Sequence, residues 1–336
     1  MHLSSFPRPA LMTSNKPIDL SIIIVNWNSW SYLFRCINSI VDNAEDIKCE
    51  IIVVDNCSND QSVQNIRANF PGVILVENNK NKGYPRASNQ AFNLAQGKYF
   101  LSLNPDTVIK PKVLQRSIQV LNDDKSIACV GVKTIKRNGK VVLSCARSFP
   151  GLWGSFWSLF DLDKIFTKFK LLNTTDMTYW DHNDNRDVDM LSGAYMMFPC
   201  EVYRMYGGFD TKIPMFYEDI EFCARLKKNG KRIYYIADVE IVHYVGSSTA
   251  KAEQSWITKL RYEAIYLYFF EYGGGRYAAF LYSLIVLVAF PLRFLLSPFI
   301  CIAYKIKGHK VTIMTLISNI ITSAVWSYRK VICFIK

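Results

Sequence analysis

The sequence predicts an α/β fold: a mostly parallel central sheet with helices on both faces. Three observations predict it. From residue 20 to about 130, short β-branched runs alternate with longer runs of helical period. Such alternation means parallel strands joined by right-handed crossovers. Half of the 336 residues are hydrophobic, with 21 Phe and 19 Tyr, so the chain can bury a large core and is not disordered. Asn- and Asp-rich clusters also follow three of the β-branched runs directly. In an open sheet of this kind, ligands sit beyond the carboxyl ends of the strands.

Residues 20–25 form the first β-branched run and predict a buried strand. Residues 30–41 carry apolar side chains at helical spacing. Residues 50–54 (EIIVV) predict the second strand, with a helix near 60–69. Residues 73–76 predict the third strand. A helix over 86–96 follows, and Gly97 ends it. Residues 99–103 predict the fourth strand, 112–122 a helix and 127–132 the fifth strand.

The second half reads differently. Residues 151–184 are aromatic and irregular (GLWGSFWSLF), as in a flexible or lipid-near loop. Residues 188–200 hold a strand-like piece with Gly193. Residues 215–229 predict a helix ended by Gly230, and 232–236 and 239–243 predict two strands. From residue 255 the chain predicts helices. Residues 277–292 and 294–304 are charge-free runs separated by Arg293 and carrying Pro291 and Pro298; 311–327 is a third, flanked by KIKGHK and YRK. A spanning helix needs about 20 apolar residues, and the first run alone is shorter. These segments predict interfacial or re-entrant helices with basic anchors.

The net charge of +12 favours acidic partners such as nucleotide phosphates or anionic lipid. The basic residues are densest beside the apolar tail, which suits a membrane surface. They form no nucleic-acid motif interleaved with aromatics, so no nucleic-acid partner is expected. Nine scattered cysteines without a C-x-x-C pair argue against a disulfide framework or a zinc site. Residues 1–18 are polar and broken by Pro7, Pro9 and Pro17, a flexible N-terminus without the apolar stretch of a signal peptide. These features place the domain in the reducing cytosol.

The polar clusters carry the candidate chemistry. Asn26–Asn28 follows strand one. Asp55 follows strand two, where its carboxylate can accept the N3–H of a pyrimidine, while Ser58 or Asn59 caps the next helix. Asn104-Pro105-Asp106 ends strand four. N-P-D is a good turn sequence, yet a carboxylate there faces the ligand crevice. Mg²⁺ or Mn²⁺ needs oxygen ligands and is commonly completed by a substrate diphosphate. Glu218 and Asp219 lie in a predicted first helical turn, where they complement the dipole or act as a general base toward a hydroxyl. His243 ends a strand, followed by Gly246-Ser247-Ser248; a histidine beside a carboxylate suits Mn²⁺. Gly83-Tyr84-Pro85-Arg86 opens a helix whose N–H groups, with Arg86, can bind phosphate, or it is a turn with an exposed arginine.

The ordered series SIIIVNWNS, EIIVVDNCSNDQS, NKNKGYPRASNQA, YFLSLNPDTVI, MLSGAYMMF, GGFDTKIPMFYEDIEFCARLKKNG and VEIVHYVGSS resembles the family 2 glycosyltransferases over about residues 20–250. The rhamnosyltransferase-like branch of polysaccharide and O-antigen assembly is the most similar. The resemblance implies a glycosyltransferase A-type, Rossmann-like fold. It implies one domain over 19–250, with a nucleotide-sugar half (19–135) and an acceptor half (136–250), and a membrane-associating helical tail over 251–336. It also implies that Asn26, Asp55, Arg86, Asn104 and Asp106 bind the nucleotide sugar. Asp106 and His243 would hold the metal, Asp219 with Glu218 would supply the base, and Gly193 and Ala194 would line the acceptor site. Gly208-Phe209-Asp210 matches the family's GGFD turn. Two positions depart from the pattern: Asn104 replaces the first carboxylate of the D-x-D-like motif, and Arg86 stands where small residues are usual.

The implied reaction is an inverting, metal-dependent transfer from a nucleotide-diphosphate sugar to a saccharide acceptor carried on a polyprenyl lipid. dTDP-L-rhamnose is the first expected donor and UDP-hexoses follow. The enzyme would work at the cytoplasmic face of the membrane, attached monotopically rather than spanning it. Two rivals differ in chemistry. A nucleotidyltransferase would release pyrophosphate and want an early Gly-rich basic loop, which is missing. A non-catalytic nucleotide-sugar-binding or membrane scaffold would not need Asp55, Asp106 and Asp219 together.

Overall fold

A computed structural model describes residues 17–162, 166–213, 217–244, 254–306 and 312–335. Gly246-Ser247-Ser248, Met215, Phe216 and most of the N-terminal segment lie outside the described residues. The first strands are β1 (Leu20–Asn26), β2 (Cys49–Asp55), β3 (Ile74–Glu77) and β4 (Tyr99–Leu103). Helices α1 (Trp30–Asn43), α2 (Ser62–Asn69) and α3 (Tyr84–Phe92) connect them. All four strands are parallel, in the order β3-β2-β1-β4.

Every residue of β1 and β2 is buried. Alternate side chains enter two cores: Ile22, Ile24, Ile51 and Val53 face one, and Ile23, Val25, Ile52 and Val54 face the other. Burial on both faces explains the unbroken β-branched runs. α1 brings Leu33, Cys36, Ile37 and Ile40 to the first core, and α3 brings Ala87, Ala91 and Phe92 to the second.

The sheet then departs from the simple parallel reading. After the short β5 (Thr107–Ile109) come α4 (Val113–Asp123) and β6 (Ile127–Ile135). β6 does not neighbour β4. The later strand β10 (Tyr195–Pro199) inserts between them, antiparallel to both. The two strands expected over 232–243 are one strand, β11 (Arg232–His243), whose pairing with β6 shifts register between Ile236 and Glu240. β11 runs parallel to β6 and antiparallel to β5 and to β8 (Arg186–Asp187). β7 (Ala146–Arg147) and β9 (Met190–Leu191) form a separate two-stranded sheet.

The aromatic stretch after residue 150 contains α5 (Leu152–Leu159) rather than loop alone. α6 (Cys200–Tyr206) ends at Gly207, and α7 (Glu218–Lys228) starts three residues later than expected. Gly207 and Gly208 both hold positive φ, and a Cβ on Gly208 would lie 2.6 Å from the Tyr203 ring. Only glycine fits that second position without displacing the ring.

The tail forms α8 (Gln254–Glu271), α9 (Gly275–Ile306) and α10 (Ile313–Ile335). The two charge-free runs on either side of Arg293 belong to one helix: α9 continues through Pro291 and Pro298. Arg293 points inward, where it donates to Leu159 O (2.8 Å) and Ser323 Oγ (2.8 Å). Among the described residues α9 is the one helix long and apolar enough to cross a membrane by length and composition. Tyr268, Phe269, Tyr282, Val286 and Trp326 join the same core as Phe198 and Tyr203, so the tail packs on the sheet-bearing half.

Candidate active site

The parallel register sets Asn26 directly beside Asp55 at the carboxyl ends of β1 and β2. Asp55 is 2 % exposed. Its Oδ1 accepts from Asn26 Nδ2 (2.8 Å) and Ser58 Oγ (2.6 Å), and its Oδ2 accepts from Ser58 N (2.9 Å). Asn26 Oδ1 in turn accepts from Ser29 Oγ (2.7 Å). The expected capping by Ser58 or Asn59 is corrected: Asp60 Oδ1 takes the N–H and hydroxyl of Ser62 at the start of α2. Ser58 braces Asp55 instead, which frees Asp55 from any role in the helix.

Asp106 lies in the turn between β4 and β5, and β5 pairs with the end of β11, setting Thr107 opposite His243. That three-residue strand, which carries no periodic signal, closes a separation of 137 residues: His243 Nε2 lies 3.1 Å from Asp106 Oδ1. Tyr244 N donates to Asp106 O (2.9 Å), fixing the turn from below. Both side chains are mostly buried. Cys36 Sγ lies 3.7 Å from Thr107 Oγ1, but burial pushes its pKa up to about 12, so it stays a thiol and offers no thiolate ligand. Among the described residues no group of three or more His, Cys, Asp or Glu side chains converges. Among the described residues, a divalent cation here would take the Asp106 carboxylate and the His243 imidazole, and a diphosphate and water can supply further ligands. An oxygen and a nitrogen donor at one point fit Mn²⁺, whereas Mg²⁺, which prefers oxygen, would rest on the Asp106 carboxylate.

The segment 193–194 links this turn to the acidic pair. Asn104 N donates to Ala194 O (3.2 Å), and Gly193 N donates to Asp219 Oδ2 (3.1 Å). Asp219 Oδ1 also accepts from Ile220 N (2.9 Å). Burial raises the Asp219 pKa above the usual carboxylate range; the Arg147 guanidinium and the two N–H groups offset part of that rise. A proton acceptor with raised affinity is suited to general-base work. Glu218 differs: its Oε2 accepts the N–H of Tyr217 (3.1 Å), so it is engaged at the helix start. The GGFD turn is tied to α3, since Asn89 Nδ2 donates to Phe209 O (2.7 Å) and Asn89 Oδ1 accepts from Phe209 N (3.1 Å).

Arg86 is exposed and joins none of these groups. Sequence reasoning missed Arg147, which β7 carries toward Asp219 through the two-stranded sheet with β9. It also missed a cleft of about 1070 Å³ that opens beside Asp219 and runs to the tail helices. Neither has a local sequence signal, because both arise where the second half of the chain folds back.

Residues 21–203 match the family model described as Glycosyl transferase family 2. Over 281 residues the chain is 22% identical to the N-acetylglucosaminyl-diphospho-decaprenol L-rhamnosyltransferase of Mycobacterium tuberculosis, covering 77% of this chain and 87% of that one. It is 28% identical over 151 residues to an Escherichia coli chondroitin synthase, a match to 44% of this chain that spans only 20% of that protein. Among solved structures, the mannosyltransferase of Pyrobaculum calidifontis in complex with GDP-Man and Mn²⁺ superposes with a TM-score of 0.54 at 17% identity, covering 94% of this chain and 88% of that one. The mixed, mostly parallel sheet is thus the glycosyltransferase A-type arrangement.

Proposed function

The chain belongs to glycosyl transferase family 2 and uses a nucleotide-sugar donor; from that premise we propose an inverting, divalent-metal-dependent transfer to a hydroxyl of a lipid-linked saccharide. One observation carries the reading. The 193–194 segment is hydrogen-bonded on one side to the turn bearing Asp106 and on the other to Asp219. A donor held at the first and an acceptor at the second would meet across that segment.

Asp55, braced by Asn26 and Ser58, takes the nucleobase, and Asn104 and the start of α3 with Arg86 border the donor. Asp106 and His243 would hold the cation, which would supply positive charge beside the donor diphosphate. Asp219 accepts the proton of the acceptor hydroxyl, and Glu218 stays at the helix start as its neighbour. The hydroxyl oxygen attacks the anomeric carbon opposite the diphosphate. One bond forms as one breaks, the proton ends on Asp219, and the configuration inverts without an enzyme nucleophile. Gly193 and Ala194 line the acceptor side.

The mycobacterial relative supports dTDP-L-rhamnose as the first donor to test and a lipid diphosphate-linked acceptor. The tail supports attachment to a membrane, because its outer side exposes Val288, Leu295, Phe299 and Ile302; on this reading the attachment is at the cytoplasmic face. Residues 19–135 would then form the donor half, 136–250 the acceptor half and 251–336 the membrane-associated part.

Donor hydrolysis by the full chain tests the reading. A panel of nucleotide sugars is screened with Mn²⁺, Mg²⁺ or EDTA, alongside Asp106→Ala. Nucleoside diphosphate should be released from one donor, and the release should vanish with EDTA and in the variant. Pyrophosphate as product would mean a nucleotidyltransferase. Retention of configuration in the NMR spectrum of the transferred sugar would overturn the single displacement.

A further inference from the structure

The cleft beside Asp219 has an unusual lining. Its α9 wall runs from Tyr282 to Tyr304, about 33 Å at 1.5 Å per residue. Polar side chains of the tail face it, among them Thr258, Arg261, Arg293, Ser297 and Asn319. The outer sides of α9 and α10 are instead apolar and exposed. An amphipathic helix in water turns its polar side outward. The reverse arrangement suits a bundle that meets lipid on its outside and encloses a polar ligand.

The basic side chains specify that ligand. Arg293 is 8 % exposed, and its hydrogen bonds go to a carbonyl and a hydroxyl, both neutral. No carboxylate among the described residues pairs with it. A buried guanidinium without a counter-charge is costly, and three of its five N–H donors remain for a ligand. Arg147 Nη1 lies 3.3 Å from Asp176 Oδ1. Arg261 feels the same Asp176 as well as the Arg147 guanidinium, and burial together with that neighbour lowers its pKa. Both guanidiniums therefore lie near Asp176 on the cleft wall. Asp161 and Asp219 also line the cleft, so net charge alone does not select the ligand. The selection rests on forked donors, which match phosphate oxygens in pairs.

Resting on the reading of this chain as a transferase with a lipid-linked acceptor, we propose that the cleft is the acceptor site. Arg147 and Arg261, with Arg293 further along the wall, bind the diphosphate that joins the acceptor saccharide to its lipid. The saccharide then lies against Asp219 and the lipid chain leaves between the tail helices into the bilayer.

Calorimetry on the full chain in detergent tests this, with decyl diphosphate as probe and excess nucleoside diphosphate present to fill the donor site. The wild type should bind the probe and ignore decyl maltoside. Arg147→Gln and Arg261→Gln should each weaken binding about tenfold or more, the loss expected for a hydrogen bond to a charged group. Arg276→Gln, an exposed site outside the cleft, should change nothing. Nucleoside diphosphate binding checks folding; a variant that fails it is replaced by Arg261→Lys, which keeps the charge, loses the fork and should still bind more weakly. No probe binding by the wild type, or equal binding by the variants, overturns the inference. Probe binding without any sugar transfer from any donor would overturn the functional reading and leave this site standing. Transfer to a lipid-linked acceptor with unchanged probe binding in the variants would do the opposite.

Discussion

Replacing Asp219 by Asn separates its chemistry from its packing. The amide has nearly the shape of the carboxyl but accepts no proton. Of the two N–H groups bonded to Asp219, from Gly193 at 3.1 Å and Ile220 at 2.9 Å, the single amide oxygen can serve one. The other is left facing an NH₂, at a cost of about 1–3 kcal/mol for an unsatisfied donor. Removing a buried charge works in the opposite direction. Burial raises the folded-state pKa of Asp219 above its unfolded value. The folded state therefore holds the proton more tightly, and the stability this contributes is greatest at low pH and falls as pH rises through the folded pKa. The variant lacks that decline, so at neutral pH its net stability should stay within about 2 kcal/mol of wild type.

Catalysis should suffer more. Loss of a general base costs about 10²–10⁴-fold, or about 2.7–5.4 kcal/mol of barrier at 1.36 kcal/mol per tenfold. The assay is kcat/KM for transfer as a function of pH, with unfolding by urea measured alongside. Wild type should gain rate as Asp219 ionises, with its acid limb above the usual carboxylate range; the variant should be slow and lack that limb. Transfer by Asp219→Asn within about tenfold of wild type would refute the assignment of Asp219 as the base.

Four further outcomes follow. His243→Gln should raise the Mn²⁺ concentration needed for half-maximal donor hydrolysis by at least the roughly 10–100-fold that loss of an outer-shell metal partner costs, read by metal titration. Ser58→Ala removes the 2.6 Å bond to Asp55, and nucleoside diphosphate affinity by calorimetry should drop by about 1.5–3 kcal/mol. Arg225 holds the buried Glu221 through Nε (2.8 Å) and Nη2 (2.6 Å). Arg225→Met should cost about 3–5 kcal/mol in urea unfolding because it strands that carboxylate. Truncation after residue 253 removes Tyr268, Phe269 and Tyr282 from the core shared with Phe198 and Tyr203, so the shortened chain should lose its cooperative unfolding transition by circular dichroism.

The strand-end positions proposed for the donor were legible because burial on both faces forces continuous β-branched runs. Their abrupt end at Asn26, Asp55 and Asn104 marks the sheet's edge. Parallel neighbours with aligned ends then bring those positions together, as the Asn26–Asp55 register does. What escaped was nonlocal or too short to have a period. β10 inserts between β4 and β6 from a chain position more than 60 residues later, and β5 is only three residues long. Yet β5 is what carries Asp106 to His243. In the sequence Arg293 only separates two charge-free runs. Its inward turn toward Leu159 and Ser323 depends on packing with α5 and α10, which no window around residue 293 contains.

The tail and the helix of Asp219 are joined by hydrogen bonds. Tyr217, at the entry to the helix of Asp219, is fully buried and its hydroxyl lies 3.5 Å from Glu271 Oε2 on α8. One residue beyond α8, the Tyr272 hydroxyl donates to Glu221 Oε1 (2.8 Å). Glu221 is the residue gripped by Arg225, and Arg225 Nη2 also donates to Gly208 O (2.7 Å) in the GGFD turn. One chain of hydrogen bonds therefore runs from the helical tail through α7 to the turn that α3 anchors. Seating the tail at a bilayer would fix the first turn of α7, and with it Asp219, relative to the donor side. Attachment and positioning of the base would then be a single requirement, met by the same helices that wall the cleft.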